Sequence, residues 1–181
     1  MNTREITVGG LLTALALRIP FAFRGTPLQL FILVVAYSAT FASHVPSILS
    51  MLVSPAATAL VGLGSAVGFT ITLNPVIGAR AFTHAVWGLR GAVLIQRGWP
   101  FWAALAAVLP VHGLGQGLAV WWPGKGFQAG LFVAAGNVLH HLLDSGISLA
   151  VFRLLLPVLR PEGGDQGLAC RATTSSPTAA R

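Results

Sequence analysis

One face of a predicted helix in the middle of the chain carries side chains suited to binding an anion. Arg80, His84, Trp87 and Gly91 recur at i, i+4, i+7 and i+11, a spacing that places residues on one side of a helix. A guanidinium can bind a carboxylate through two hydrogen bonds, and an indole offers a surface for stacking. The pattern therefore indicates a receptor for a small aromatic anion. The alternative is that Arg80 extends to the membrane interface and that Trp87 only packs.

A second polar face is predicted on the last helix. Asn137, His141, Asp144 and Ser148 recur at the same spacing, and His140 precedes Asp144 by four residues. Asp144 is the only acidic residue in the long apolar part of the chain. We expect this face to line a polar cavity in which Asn137 and His141 bind substrate. For Asp144 two interpretations remain open, namely contact with substrate and a structural ion pair with a histidine or with the arginine of the first face.

The remaining polar residues predict no catalytic or metal site. His112 and Gln116 share a face of the fifth predicted helix, but a single intramembrane histidine usually packs inside the protein, so they are left outside the site. The five histidines lie on different segments without HExxH-type spacing, which predicts no bound metal and no cofactor. No phosphate-binding loop, G-x-S-x-G elbow or carboxylate pair is present, so an enzyme is not predicted.

The polar faces lie in a chain that reads as a membrane protein. Of its 181 residues 55% are hydrophobic and 8% are charged, and the mean hydropathy is +0.78. A membrane-spanning helix needs about 20 apolar residues. The predicted fold is an all-α bundle of six transmembrane helices within residues 1–160. The first helix is expected at residues 6–23, and the second ends at Ser54-Pro55. The other four are expected at residues 56–72, 76–95, 100–121 and 127–156.

Residues 28–53 are divided by Pro46, which disfavours a continuous helix. We therefore expect a partly buried outer loop followed by the second helix. The net charge is +7, and seven of the eleven basic residues fall on the side of the termini in this arrangement. The positive-inside rule then places both termini in the cytoplasm, with residues 161–181 as a disordered tail. No basic patch is interleaved with aromatic residues, so nucleic acid is excluded as a partner.

The central part of the chain contains four fragments in a characteristic order: Ser43-His44-Val45-Pro46, Met51-Leu52-Val53-Ser54-Pro55-Ala56, Val61-Gly62-Leu63-Gly64-Ser65 and Pro75-Val76-Ile77-Gly78-Ala79-Arg80-Ala81-Phe82-Thr83-His84. Each fragment alone is weakly specific for a protein family, but their order and spacing together are more specific. Together with the six-helix hydropathy, over about residues 3–156, they resemble the substrate-binding S component of an energy-coupling factor (ECF) vitamin importer. The arrangement is similar to that of S components assigned to niacin.

The resemblance implies a multi-pass protein of a bacterial plasma membrane that binds a vitamin near the outer surface. Two loops would cap the pocket, around residues 24–40 and 73–75. The protein would dock on a T subunit carrying two ABC ATPase subunits, which supply ATP hydrolysis, and would topple to release substrate inward. Members of the family contact the T subunit through small residues of the first helix, which correspond here to Gly10 and Ala14.

For nicotinate, Arg80 with His84 would bind the carboxylate. Asn74, Asn137 or His141 would hydrogen-bond the ring nitrogen. The alternatives are another small vitamin or carboxylated metabolite, a cationic substrate received by Asp144, and a metal-ion transport component. Against the last, the chain starts Met1-Asn2-Thr3 rather than with the Met-His pair of cobalt and nickel S components.

Overall fold

The computed structural model describes residues 1–36 and 42–159, and within these ranges the chain is helical with no strand. The predicted tail at residues 161–181 lies outside the described residues. The helices, in chain order, are α1 (Thr3–Ala22), α2 (Pro27–Ala36), α3 (Val45–Ser50), α4 (Pro55–Thr72), α5 (Pro75–Gln96), α6 (Phe101–Val120) and α7 (Phe127–Leu159), with a π-helical turn at Trp121–Lys125 between α6 and α7. The all-α class predicted from the sequence is confirmed for this part of the chain.

Two of the central helices begin at a capping residue followed by proline. The Ser54 side chain accepts a hydrogen bond from the N–H of Ala57 at 3.0 Å, and Asn74 accepts one from Ile77 at 3.0 Å. Each cap satisfies a backbone donor that the first helical turn leaves unpaired, and the following proline has no N–H to lose. These caps set where α4 and α5 start, and so place Arg80 in the second turn of α5.

Small residues let the central helices approach one another closely. The most extensive contact in the bundle joins α4 to α5, and α5 also packs on α6, which packs on α7. A Cβ added to Gly62 of α4 would lie 2.5 Å from the backbone of Ala85 on α5. Such contacts are typical of transmembrane helices, which associate through close packing rather than through the hydrophobic effect. The packing holds the polar face of α5 towards α6 and α7.

The interior of the bundle contains both polar and apolar side chains, and its surface is largely apolar, as expected for a protein surrounded by lipid. Its buried residues include histidine, glutamine, asparagine and aspartate side chains, while many large hydrophobic side chains are exposed. In the part of the chain that the structure describes, four helices are long and apolar enough to cross a membrane: Thr3–Ala22, Pro55–Thr72, Phe101–Lys125 and Phe127–Leu156. The chain is therefore a membrane protein.

The six-helix count stays a prediction. Helix α5 has 22 residues, a length of about 33 Å, but it contains Arg80, His84 and Arg90 and is not among the four candidate spans. Helix α3, at the place of the second predicted span, has six residues, or about 9 Å, which is shorter than a bilayer core.

The prediction of an outer loop after α1 is wrong for the described residues of that segment, because Pro27–Ala36 form helix α2. Pro27 starts this helix, a position that suits the fixed φ of proline. No glycine or further proline interrupts the apolar residues that follow. Leu30 and Phe31 are exposed on its surface.

Candidate functional site

All five histidines of the chain meet inside the bundle and form what we call the histidine cluster: His44 before α3, His84 on α5, His112 on α6, and His140 and His141 on α7. Each is at most 6% exposed. The His44 ring lies 4.6 Å from those of His84 and His112, and 4.3 Å from that of His140, between centroids. The expectation that different segments keep the histidines apart is wrong. Buried polar groups need partners, and in an apolar bundle they find them in one another.

Asp144 on α7 lies at the edge of this cluster and is fully buried. Its Oδ2 accepts a hydrogen bond from the backbone N–H of His44 at 2.9 Å. The same oxygen lies 3.3 Å from His44 Nδ1 and 3.2 Å from His140 Nε2. Of the partners considered for a structural ion pair, Asp144 thus lies against histidines and not against Arg80. Contact of Asp144 with substrate stays a prediction.

Among the described residues, two sets of side chains have the composition and spacing to hold a metal ion. One consists of His44, His84 and His112, and the other of His44, His140 and Asp144. Within each set the ligand atoms lie within 4.8 Å of one another. No metal site was predicted from the sequence, because the histidines lie on different segments without HExxH-type spacing.

Gln116 on α6 joins Arg80 to the histidine cluster. Arg80 is partly exposed, and its Nε donates to Gln116 Oε1 at 2.7 Å. Gln116 Nε2 lies 3.1 Å from both the Arg80 carbonyl oxygen and Thr83 Oγ1. It also lies 3.4 Å from His84 Nε2 and 3.2 Å from His112 Nε2. Since the amide nitrogen has only two hydrogens, it can donate to at most two of these four neighbouring atoms at one time.

The charge of Arg80 is not matched by a protein carboxylate in the described part of the chain. The two salt bridges found there both involve Asp144 and a histidine. The guanidinium carries five N–H donors, of which the Nε donor is used by Gln116. Arg80 is thus held in place by a neutral group while its charge remains available to an anion.

Trp87 is fully buried on the same face of α5 and packs against the histidine cluster. Its ring centroid lies 4.7 Å from that of His112, with 35° between the planes, and 5.1 Å from that of His141. The His112 imidazole therefore covers part of the indole face that the sequence assigned to the substrate ring. Trp87 Nε1 is buried without a hydrogen-bond partner among the described residues.

Asn137 and His141 lie inside the bundle, as the spacing on the last helix predicts. Asn137 Nδ2 donates to the Val133 carbonyl oxygen at 2.8 Å, and its Oδ1 has no hydrogen-bond partner in the described residues. His141 Nδ1 lies 2.9 Å from His112 Nδ1, and its Nε2 lies 3.3 Å from the Leu105 carbonyl oxygen. Both ring nitrogens of His141 are thus engaged within the protein.

Three predicted residues lie away from the histidine cluster. Asn74 is exposed at the start of α5, where its side-chain oxygen caps the helix. Gly10 and Ala14 are exposed on α1, and a Cβ added at Gly10 would meet no atom within 4 Å. Their assignments to substrate and to a partner subunit stay predictions.

Sequence reasoning left His44, His112, His140 and Gln116 outside the site. A usable signal was present, because all five histidines fall in the apolar part of a chain with only 8% charged residues. Single buried polar groups are costly there, so their convergence could have been expected.

The comparisons with known proteins found one relative at low identity. No protein-family model matches the chain, and no solved structure matches it significantly. The chain is 28% identical over 173 residues to the niacin transporter NiaX of Lactococcus lactis subsp. cremoris, a match that covers 85% of this chain and 75% of the relative. The chain is a distant relative of a niacin transporter. The resemblance recognised from the sequence is thereby confirmed as a distant relationship to a niacin transporter.

Proposed function

We propose that this chain is the S component of an ECF-type importer and that it captures nicotinate or a similarly small carboxylated vitamin. One observation supports this most directly. Arg80 is a partly exposed cation held by the neutral Gln116 side chain, without an ion pair to a described carboxylate. A fixed guanidinium of this kind favours a carboxylate brought by a solute, because bidentate binding matches its geometry.

The ring of the substrate would extend from Arg80 towards the histidine cluster. His84 follows Arg80 by one helical turn, and Trp87 follows by a second. The ring nitrogen of nicotinate is a hydrogen-bond acceptor. Trp87 Nε1 is a buried donor without a partner among the described residues and can supply that bond. Asn137 and His141, on the facing wall of α7, complete the proposed contacts.

Asn74 and Asp144 would act at the two ends of this site. Asn74 lies nearer the start of α5 than Arg80 does, and would contact the substrate at the entrance of the proposed binding site. Asp144, held against His44 and His140, would act by fixing the position of those two rings.

Coupling to ATP hydrolysis would come from partner subunits. We propose that Gly10 and Ala14 contact the T subunit, which carries two ABC ATPases, and that the S component topples to release substrate on the cytoplasmic side. Both residues are exposed on α1, where small side chains allow another helix to approach closely. In this proposal the chain lies in a bacterial plasma membrane, crosses it several times and keeps both termini in the cytoplasm.

The test is a binding measurement on the purified full-length chain. Isothermal titration with nicotinate should give saturable binding at one site per chain, with nicotinamide, which lacks the carboxylate, binding more weakly. Binding of another water-soluble vitamin instead of nicotinate would refute the niacin assignment alone. Absence of binding to every vitamin in the panel would refute the proposed S-component function.

A further inference from the structure

We propose that His44, His140 and Asp144 bind one divalent transition-metal ion such as Zn²⁺. This site is additional to the proposed vitamin function and does not depend on it. The three residues come from two segments that pack together, the turn before α3 and the middle of α7. All three are at most 4% exposed.

The distances match those that a metal would require. Asp144 Oδ2 lies 3.3 Å from His44 Nδ1 and 3.2 Å from His140 Nε2. In a tetrahedral zinc site with bonds of about 2.0–2.1 Å, neighbouring ligand atoms are about 3.3 Å apart. Two of the three distances between ligand atoms therefore match those around one ion, and the third, between the two imidazole nitrogens, is within 4.8 Å.

Asp144 Oδ2 accepts a hydrogen bond from the His44 backbone N–H, but other polar atoms at this position have none. His44 Nδ1, His140 Nε2 and Asp144 Oδ1 are buried, and none has a hydrogen-bond partner among the described residues. Leaving buried polar atoms unpaired is costly, and coordination to a metal would remove that cost. Two imidazoles and one carboxylate are a donor set that zinc and other first-row transition metals use.

Charge also favours an ion at this position. Apart from Glu5 near the N-terminus, Asp144 carries the only carboxylate of the described residues. A buried carboxylate needs a positive partner, and the nearest basic groups are the two histidines. A divalent ion would balance the carboxylate while both imidazoles stay neutral, the form in which histidine binds metals. The competing explanation is that one histidine carries a proton and forms the ion pair by itself.

The other candidate set, which includes His84 and His112, is less suited to an ion. The Nε2 atoms of both rings lie 3.2–3.4 Å from the Gln116 amide nitrogen. His112 Nδ1 is also 2.9 Å from His141 Nδ1. These nitrogens are thus engaged with the Gln116 amide or with His141, whereas His44 Nδ1 and His140 Nε2 face the Asp144 carboxylate, which can itself serve as a metal ligand.

The experiment uses the purified full-length chain, first treated with a chelator and then titrated with Zn²⁺ by calorimetry and with Co²⁺ by visible absorption. The wild-type chain should bind one ion with a saturable Co²⁺ spectrum. His140→Ala should weaken binding by at least about 100-fold, the upper end of the loss seen when even an outer-shell partner is removed. His84→Ala, matched in chemistry but outside the ligand set, should change metal affinity by less than about tenfold.

Three results would overturn the proposal: no stoichiometric ion in the wild type, equal affinity in His140→Ala, or loss of the ion in His84→Ala with retention in His140→Ala. If His140→Ala does not fold, His140→Gln keeps a polar side chain and tests the same ligand. Nicotinate binding is measured on the same samples. A wild type that binds Zn²⁺ but no vitamin refutes only the vitamin proposal, and the converse refutes only the metal site.

Discussion

Replacing Arg80 with alanine is expected to weaken nicotinate binding by about 10- to 150-fold. Hydrogen bonds to charged groups contribute about 1.5–3 kcal/mol, and each 1.4 kcal/mol corresponds to a factor of ten in affinity. This range applies to direct hydrogen bonding between the Arg80 guanidinium and the nicotinate carboxylate, with Gln116 keeping the guanidinium oriented. In the structure Gln116 Oε1 does accept a hydrogen bond from Arg80 Nε, at 2.7 Å.

Calorimetric titration of the purified variants with nicotinate and nicotinamide checks this expectation. Arg90→Ala is the matched control, because Arg90 lies on the same helix and is exposed. Arg80→Lys should recover part of the affinity, since it keeps the charge but loses the bidentate geometry. The preference for nicotinate over nicotinamide should shrink in Arg80→Ala and stay unchanged in Arg90→Ala.

Unchanged nicotinate affinity in a folded Arg80→Ala variant would remove Arg80 from the site. An equal loss of affinity for nicotinate and nicotinamide would also refute the reasoning. In that case the side chain would support the pocket without contacting the carboxylate.

Three further predictions concern packing, fluorescence and coupling. Gly62→Ala should destabilise the protein by about 1–3 kcal/mol, because its Cβ would lie 2.5 Å from the Ala85 backbone. Thermal unfolding in detergent measures this loss, with Gly10→Ala, where the added Cβ meets no atom, as the control. Equal stability of the two variants would contradict the packing argument. Trp87→Phe should abolish the nicotinate-induced change in tryptophan fluorescence, since Trp87 is the tryptophan that packs against the histidine cluster; a retained signal would place the substrate elsewhere. Gly10→Leu and Ala14→Leu should leave nicotinate binding intact but stop uptake in liposomes containing the T subunit and ATPases, and normal uptake would exclude this face as the docking surface.

Local patterns predicted much of the framework. The Asn74–Pro75 pair marks the start of α5, and the residue spacing that follows predicts which side of that helix is polar. Asn137 and His141 were likewise expected to face the interior, and both are buried. Such features can be read from sequence because capping and helical periodicity depend on residues only a few positions apart.

The segment after α1 was predicted incorrectly from local sequence patterns. Residues 28–36 were expected in a loop, yet they belong to α2, which starts at Pro27. A short apolar run is compatible with either form, and tertiary packing decides between them. Helix α2 packs against α7, a neighbour that lies more than 90 positions later in the chain.

By itself the sequence determined an apolar helical chain with two polar helix faces and a lone intramembrane carboxylate. Only the tertiary structure decided which of those polar groups meet. Asp144 accepts a hydrogen bond from His44, 100 positions away, and Arg80 donates one to Gln116, 36 positions away. No local pattern specifies such pairs, because they depend on the order in which helices pack and on the distance at which small residues let them approach.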